Sequence, residues 1–472
     1  MSISNDITQW KQILGEDDNK IIQRLMSKKY LILSNSNIDT LPDSVGELTQ
    51  LEELSLLQSN IRNLPESIGQ LTQLKCLNLY ECDNLHNLPD NIGNLYELKY
   101  LWVNYKNIEK LPLTFSKLTN LQDNCLRIAL SKIDETQDNG QREKLLDILL
   151  CVLKIREELM VYDAYSIRYN FNTYEKVSHY TTPDTAIKLL KKENNDNNEK
   201  KSSPLRMYGC NQLNDPSEGK LIYDFFNSLD TLKNNNIDLQ PVLELTTCLA
   251  SFSFNQDSLN QFRLYGKDKG KEATGVSIGL KPDFFHYLPS NLGEYEKFPL
   301  YRCIYFDPKV RLNNKPYIRV ATCDEVSFYQ QGNQHDWKSY YRYIRKIEKN
   351  VTDLFMKIER NIQSIFTNIE DIKIRQQIIE TISFILLPLS FMVKHVAYKE
   401  EQECRIFLFT DFNHSDKITI EEIRMYSNYL HINDYVEKIY LSPGAKKYAD
   451  IFRELTLNQT EIIQSDKPFR IN

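Results

Sequence analysis

At 472 residues the chain has room for two or three domains. With 41% hydrophobic and 26% charged residues it can bury sizeable cores, which excludes wholesale disorder. A formal net charge of −6 makes neither nucleic acid nor an anionic membrane the expected main partner.

Residues 1–27 carry no apolar signal core in MSISNDITQWKQ and read as an amphipathic cap for the segment beginning near residue 28. From about residue 28 to 122 a fixed period takes over. Leu-Pro pairs stand at Leu41-Pro42, Leu64-Pro65, Leu88-Pro89 and Leu111-Pro112, spaced 23, 24 and 23 residues apart. Leucines precede them as Leu51, Leu54, Leu56, then Leu74, Leu77, Leu79, then Leu98, Leu101 with Val103. A degenerate first unit is Tyr30 to Leu33, and Gly46, Gly69 and Gly93 recur after the prolines.

Leu77 and Leu79 share one face of a short strand, because strand side chains alternate. One such unit cannot bury its leucines alone, so about four must stack into a solenoid. This stretch, roughly a fifth of the chain, resembles the leucine-rich repeats of the LPxxIGxLxxL type. The resemblance implies a surface for a target protein, with Tyr80, Tyr100, Trp102, Asn104 and Tyr105 as partner-binding residues. Docking against the next domain is the alternative reading of those positions.

Residues 123–170 turn helical: Leu145, Leu146, Ile148, Leu149, Val152, Leu153 and Ile155 recur at helical spacing. They read as a connector closing the solenoid. Residues 171–472 mix strands and helices without regular βαβ alternation, which suggests an α+β domain. Strands are expected at EKVSHYTT, Thr246 to Phe254, Ala273 to Leu280, YRCIYF, Cys404 to Phe409 and Val436 to Gly444. Residues 194–203 read as a polar loop, and 335–393 as a helical stretch broken near Thr367 and at Pro388.

The most apolar run, Ile382 to Val393, has 12 residues, too few to span a bilayer. With no signal peptide evident, the expected location is the cytoplasm or, after secretion, a host cell. Nine scattered cysteines with no Cys-x-x-Cys spacing fit a reducing compartment and indicate no metal site. Phosphate-loop, dinucleotide, zinc-protease and nucleophile-elbow motifs are absent.

The C-terminal domain carries five short motifs in order. They are His179-Tyr180-Thr181, Asn214-Asp215-Pro216-Ser217-Glu218, Ala250 to Ser253, Gly275 to Ile278, and Glu401 to Ile406. Together they resemble the bacterial domain-of-unknown-function family numbered two-nine-seven-one, over about residues 175 to 445. Their order is also similar, more distantly, to the ADP-ribosyltransferase layout.

That likeness implies an ADP-ribosyltransferase-like domain using NAD as substrate, and a bacterial effector or toxin-like enzyme that modifies a target chosen by the repeats. An NAD glycohydrolase and a non-enzymatic adaptor are the alternatives. In the transferase reading Glu403 would steady an oxocarbenium-like ribose. Ser251 or Ser253 would orient it, and Glu401, on the same face of an extended strand, would activate the acceptor. His179, Tyr180, Thr181, Asn214, Asp215, Glu218, Arg263, Tyr265 and Arg405 would hold the dinucleotide, with Tyr208 a further stacking candidate. The competing structural readings are a hydrogen-bonded core histidine at 179, an Asn-Asp-Pro turn, polar strand serines, and Arg405 paired with Glu218 or Glu403.

Overall fold

The computed structural model describes residues 6–15, 21–162, 175–194, 200–210, 218–242, 245–266, 273–285, 297–330, 337–367, 369–410, 418–421, 424–457 and 459–466. It is mixed α/β and divides into two compact units. The first holds Met1–Glu158, Ile222–Val242 and Val351–Ser390, and the second the remainder. The region 171–472, expected as one domain, therefore contributes to both.

In the first unit four short parallel strands stack in register: β1 (Tyr30–Ile32), β2 (Glu53–Ser55), β3 (Cys76–Leu79) and β4 (Tyr100–Val103). Leu31, Leu54, Leu77 and Leu101 sit side by side across the four. After each Leu-Pro pair the chain makes one 3-10 turn, entered from a proline whose ring holds φ between −61° and −70°.

The repeating glycines lie inside those turns because successive turns touch. A Cβ on Gly69 would come 2.5 Å from the Asn91 carbonyl oxygen, and one on Gly93 2.0 Å from that of Thr114. The last turn has Ser116 at this place. Its hydroxyl bonds the Asp134 carboxylate of the helix Asn124–Asp134 at 2.9 Å. At the other end Trp10, from the helix Ile7–Leu14, is fully buried and donates to Ser44 Oγ at 3.1 Å. The amphipathic segment thus caps the first turn.

The helix Asn124–Asp134 opens on Asp123, whose carboxylate accepts from Leu126 N and pairs with Arg156 at 2.9 Å. Residues far along the chain complete this flank. Lys132 lies 4.7 Å over the Phe384 ring and 3.9 Å from Glu380, both on the helix Ile372–Ser390. Pro388, expected as a break, stays inside that helix. It sits close to the C-terminal end, so little remains beyond it to disrupt. The expected interruption near Thr367 is present, between Phe366 and Ile372.

The second unit is built on a ten-stranded sheet. Its strands include β5 (Val177–Thr181), β6 (Arg206–Gly209), β7 (Thr246–Ser253), β8 (Val276–Leu280) and β9 (Tyr301–Arg302), while β10 (Ile304–Phe306) and β11 (Val393–His395) belong to a separate small sheet. The large sheet continues with β12 (Glu403–Thr410), β13 (Thr419–Glu421), β14 (Arg424–Asn428), β15 (Val436–Leu441) and β16 (Glu461–Gln464). It runs β13-β14-β6-β7-β5-β8-β15-β16, with β12 paired to β7 and β9.

β7 is a fork. One edge pairs with β12 along its whole length. The other meets β6 at Cys248 and Leu249 but β5 only at Ser253. The segment read as a polar loop carries two short paired strands, Glu193–Asn194 and Lys200–Lys201.

Candidate functional site

Register decides which side chains share a face. Glu403 lies opposite Ser253, Ser253 opposite Ser178, Ser178 opposite Gly279 and Gly279 opposite Lys438. Arg405 lies opposite Ser251, and Tyr180 opposite Ser277. One face of the sheet therefore carries Glu403, Arg405, Ser251, Ser253, Ser178, Tyr180 and Ser277. The other carries His179 and Thr181 with Phe252, Ile278 and Cys404.

The transferase reading puts His179 beside Glu403. One residue of offset from Ser178 sends it instead to the opposite face, where its ring packs 5.7 Å from that of Phe252. Its Nδ1 lies 3.1 Å from the Ser251 carbonyl, in the fork between β5 and β6. A carbonyl only accepts, so Nδ1 carries the proton. Burial lowers the imidazole pKa, the bond to Ser251 opposing it, and this fits a neutral ring. His179 closes an open sheet edge. Thr181, also on this face, is buried.

On the first face five charged groups gather. Arg405 gives Nε to Glu403 Oε1 at 2.6 Å and Nη2 to Glu403 Oε2 at 3.0 Å. Its Nη1 and Nη2 grip Glu218 as a fork, the second at 3.1 Å, and Nη1 also reaches the Phe391 carbonyl at 2.8 Å. Lys394, on β11, donates to Glu403 Oε2 at 2.7 Å and to Glu401 Oε2. Tyr305 Oη on β10 accepts the Glu403 amide at 2.8 Å. Glu403, Lys394 and Arg405 are each at most 5% exposed.

The two carboxylates titrate in opposite directions. Burial alone would raise Glu403, but Arg405 and Lys394 outweigh it and hold the carboxyl well below its ordinary range. Burial raises Glu401, the charge of Glu403 adds to this, and Lys394 opposes it incompletely. Two cations neutralise Glu403 and Glu218, and Glu401 is the carboxylate left over. Its Oε1 makes no hydrogen bond among the described residues.

Glu401 does not reach this place by strand alternation, as expected. It ends a 3-10 turn, Val396–Glu401, and Gln402 follows with φ of 45°, a left-handed conformation unusual for a residue with a Cβ. Gln402 holds it by taking the Thr322 amide at 2.7 Å and giving Nε2 to the Lys399 carbonyl at 2.7 Å. Ser253 Oγ and Gln261 Nε2 bind the Glu401 carbonyl at 2.7 and 3.1 Å. Ser253 thus braces the main chain of Glu401 rather than the carboxylate of Glu403. Ser251 shares the face, its carbonyl taken by His179.

Tyr265, at the end of the helix Leu259–Tyr265, lies in the field of Glu403 and Glu401, and burial with those charges raises its hydroxyl pKa. Arg263 on the same helix is exposed. Tyr180 Oη donates to the Asn255 carbonyl at 2.5 Å and accepts from Ser258 N at 2.9 Å. Tyr208 sits near the far end of β6, 6.2 Å from the Tyr426 ring. Asn214 and Asp215 lie outside the described residues. Sequence reasoning missed Lys394, Tyr305, Gln261 and Gln402. For Lys394 a signal existed: a lone cation in FMVKH, directly after the apolar run, needs a buried anion.

On the repeat strands, Tyr100 and Trp102 stack with centroids 5.7 Å apart and 9° between planes, both part-exposed. Tyr80 and Asn104 are also part-exposed. Tyr105, expected as a partner anchor, is buried instead, because its turn is clamped from below. The Glu157 carboxylate accepts the Tyr105 and Lys106 amides, each at 2.7 Å.

A family model described as leucine-rich repeat region matches residues 6–182. The chain carries a leucine-rich-repeat region. Among solved structures it is similar to a leucine-rich-repeat protein of Leptospira interrogans, at 30% identity over 22% of this chain and 33% of that one, with a TM-score of 0.18. The chain thus spans about a third of the length of that protein. Among curated proteins none matches. No helix among the described residues is long and apolar enough to cross a membrane, and no cluster of metal-ligating side chains occurs among them.

Proposed function

We propose that the leucine-rich-repeat region holds a partner protein on its strand face and that the protein's action begins with that contact. The Tyr100–Trp102 stack carries this reading. Two rings already fixed against each other lose little freedom on binding and offer broad amphipathic area. Tyr30 and Ile32 extend the surface on β1, 51% and 60% exposed. The test is recovery of a cross-linked partner by wild type and by the Tyr100→Ser, Trp102→Ser double variant. A partner retained equally by both would sink the reading.

A second reading is favoured by the opposed carboxylates. Pairs of groups with diverging pKa values are the usual mark of acid–base division of labour. In this reading the second unit uses NAD and transfers ADP-ribose to the bound partner. The side chains fit such a dinucleotide in part. The open oxygen of Glu401 suits a ribose hydroxyl, Tyr265 supplies an aromatic wall, and Arg263 is exposed for phosphate. Glu403, with both oxygens held, would act through its negative field.

Incubation with labelled NAD separates the alternatives. Label on a protein, abolished by Glu401→Gln, supports transfer. Nicotinamide release without label supports hydrolysis. Neither outcome in the presence of the captured partner leaves a non-enzymatic adaptor.

A further inference from the structure

The strand face of the repeats is not uniform. Paired register sets two rows across it: Tyr30, Glu53, Cys76 and Tyr100 in one, Ile32, Ser55, Asn78 and Trp102 in the other. Both rows end in large side chains, Tyr30 and Ile32 on β1 and the stacked Tyr100 and Trp102 on β4. Between them Ser55, Cys76 and Asn78 are small and buried, so the middle of the face is a floor. The two walls stand three strand spacings apart, about 14 Å.

Ser55 Oγ pairs with Ser34 Oγ at 3.1 Å, and Asn78 Oδ1 accepts the Tyr80 amide at 3.0 Å. Glu53, part-exposed and next to Tyr30 in its row, differs. Its carboxylate makes no hydrogen bond and no ion pair among the described residues. Burial raises its pKa, and no neighbouring cation offsets this. Cations are at hand one residue earlier, but they are committed. Lys29 and Lys75 each bond the Glu52 carboxylate at 2.7 Å, and those bonds hold it down at about 2. Glu53 is left as a partly desolvated anion between aromatic walls.

We propose that Glu53 anchors an arginine side chain of the partner protein, its guanidinium fork on the carboxylate and its flat face on the Tyr30 ring. The proposal rests on the reading that the strand face holds a protein, and adds the chemistry of what is held. A guanidinium suits this place better than an ammonium. Its plane stacks on an aromatic ring while its N–H edge meets a carboxylate in two parallel bonds. The anion on the floor disfavours nucleic acid or an acidic segment there.

The experiment is fluorescence polarisation with the full chain and short labelled peptides in which glycine alternates with arginine, lysine or citrulline. The arginine peptide is expected to bind wild type about threefold more tightly than the lysine peptide. Citrulline, which keeps the shape without the charge, should not bind. Glu53→Gln should weaken the arginine peptide roughly tenfold. Glu97→Gln removes a charge from the exposed turn before β4 and should leave affinity unchanged. Lysine or citrulline peptides bound as tightly as arginine overturn the proposal. So does a loss in Glu53→Gln no greater than in Glu97→Gln, or an arginine peptide that does not bind wild type. The strand-face reading is judged separately: it stands if the Tyr100→Ser, Trp102→Ser variant loses the cross-linked partner, whatever the peptides do.

Discussion

Lys394 shows how little a single residue reveals before its neighbours are known. It touches both carboxylates whose pKa values diverge. Its replacement by Met leaves Glu401 and Glu403 without a shared cation at a buried position. Removing one partner of a buried pair typically costs about 3–5 kcal/mol. Urea unfolding of Lys394→Met is expected to show a loss of that size; a change under about 1 kcal/mol would mean that Arg405 alone satisfies Glu403.

Glu157 makes a second prediction at this scale. Burial raises its carboxyl to about 7, against Lys106 and the two amide bonds. A raised folded value means that the protonated acid is the favoured form. Its contribution to stability is therefore fully present below the ordinary value of 4.5 and lost as pH rises through about 7. Glu157→Gln is uncharged at every pH. Its amide nitrogen cannot accept one of the two backbone N–H groups, a cost present at every pH, so the stability of Glu157→Gln relative to wild type should improve by at most about 3 kcal/mol as the pH rises from about 4 to about 8. Paired thermal melts across this range check the sign, and a relative stability that worsens as the pH rises contradicts it.

At the scale of elements, the repeats were legible because one feature, the Leu-Pro period, fixes strand, turn and register together. Gly93 repeats because its turn lies against Thr114. Gly93→Ala is expected to destabilise by about 1–3 kcal/mol through overpacking. Gly140→Ala, in the first turn of the helix Asn139–Leu159, has only the Asp138 carboxylate near its new methyl, at 3.3 Å. It should be neutral or stabilising by up to about 1 kcal/mol. Equal melting temperatures for the two variants would refute the stacking argument.

The strands of the second unit were legible too, from Val177 to Thr181 and from Glu403 to Thr410. Their pairing was not. Whether His179 or its neighbours faced Glu403 depended on β5 meeting β7 at Ser178–Ser253, and a sequence carries no mark of that register. The pairing of Glu218 and Glu403 with Arg405 was among the readings of the sequence. The role of Lys394 was not, since it requires β11 to lie parallel to β10.

For the whole molecule the boundary matters most. Residues 351–390 belong with the repeats, although they stand far along the chain from Val103, where the last repeat strand ends. A fragment ending at Glu158 lacks the helix Ile372–Ser390 that packs on Asn124–Asp134. It is expected to bind a hydrophobic dye and to melt lower than the full chain. A fragment that melts with the full chain's cooperativity would show that the repeats stand alone.

That interleaving sets a schedule for the ribosome. Synthesis at roughly 5–20 residues per second leaves the newly emerged repeats waiting on the order of tens of seconds for their flanking helix. During this interval the flank of the helix Asn124–Asp134 around Lys132, which meets Phe384 and Glu380 in the folded chain, has no lasting cover. Nascent chains stalled before Val351 emerges should therefore be cut by protease within the helices Asn124–Asp134 and Asn139–Leu159, and those stalled well past Ser390 should resist. Chaperone demand in the cell would follow the length of that wait more than the final stability of the folded product.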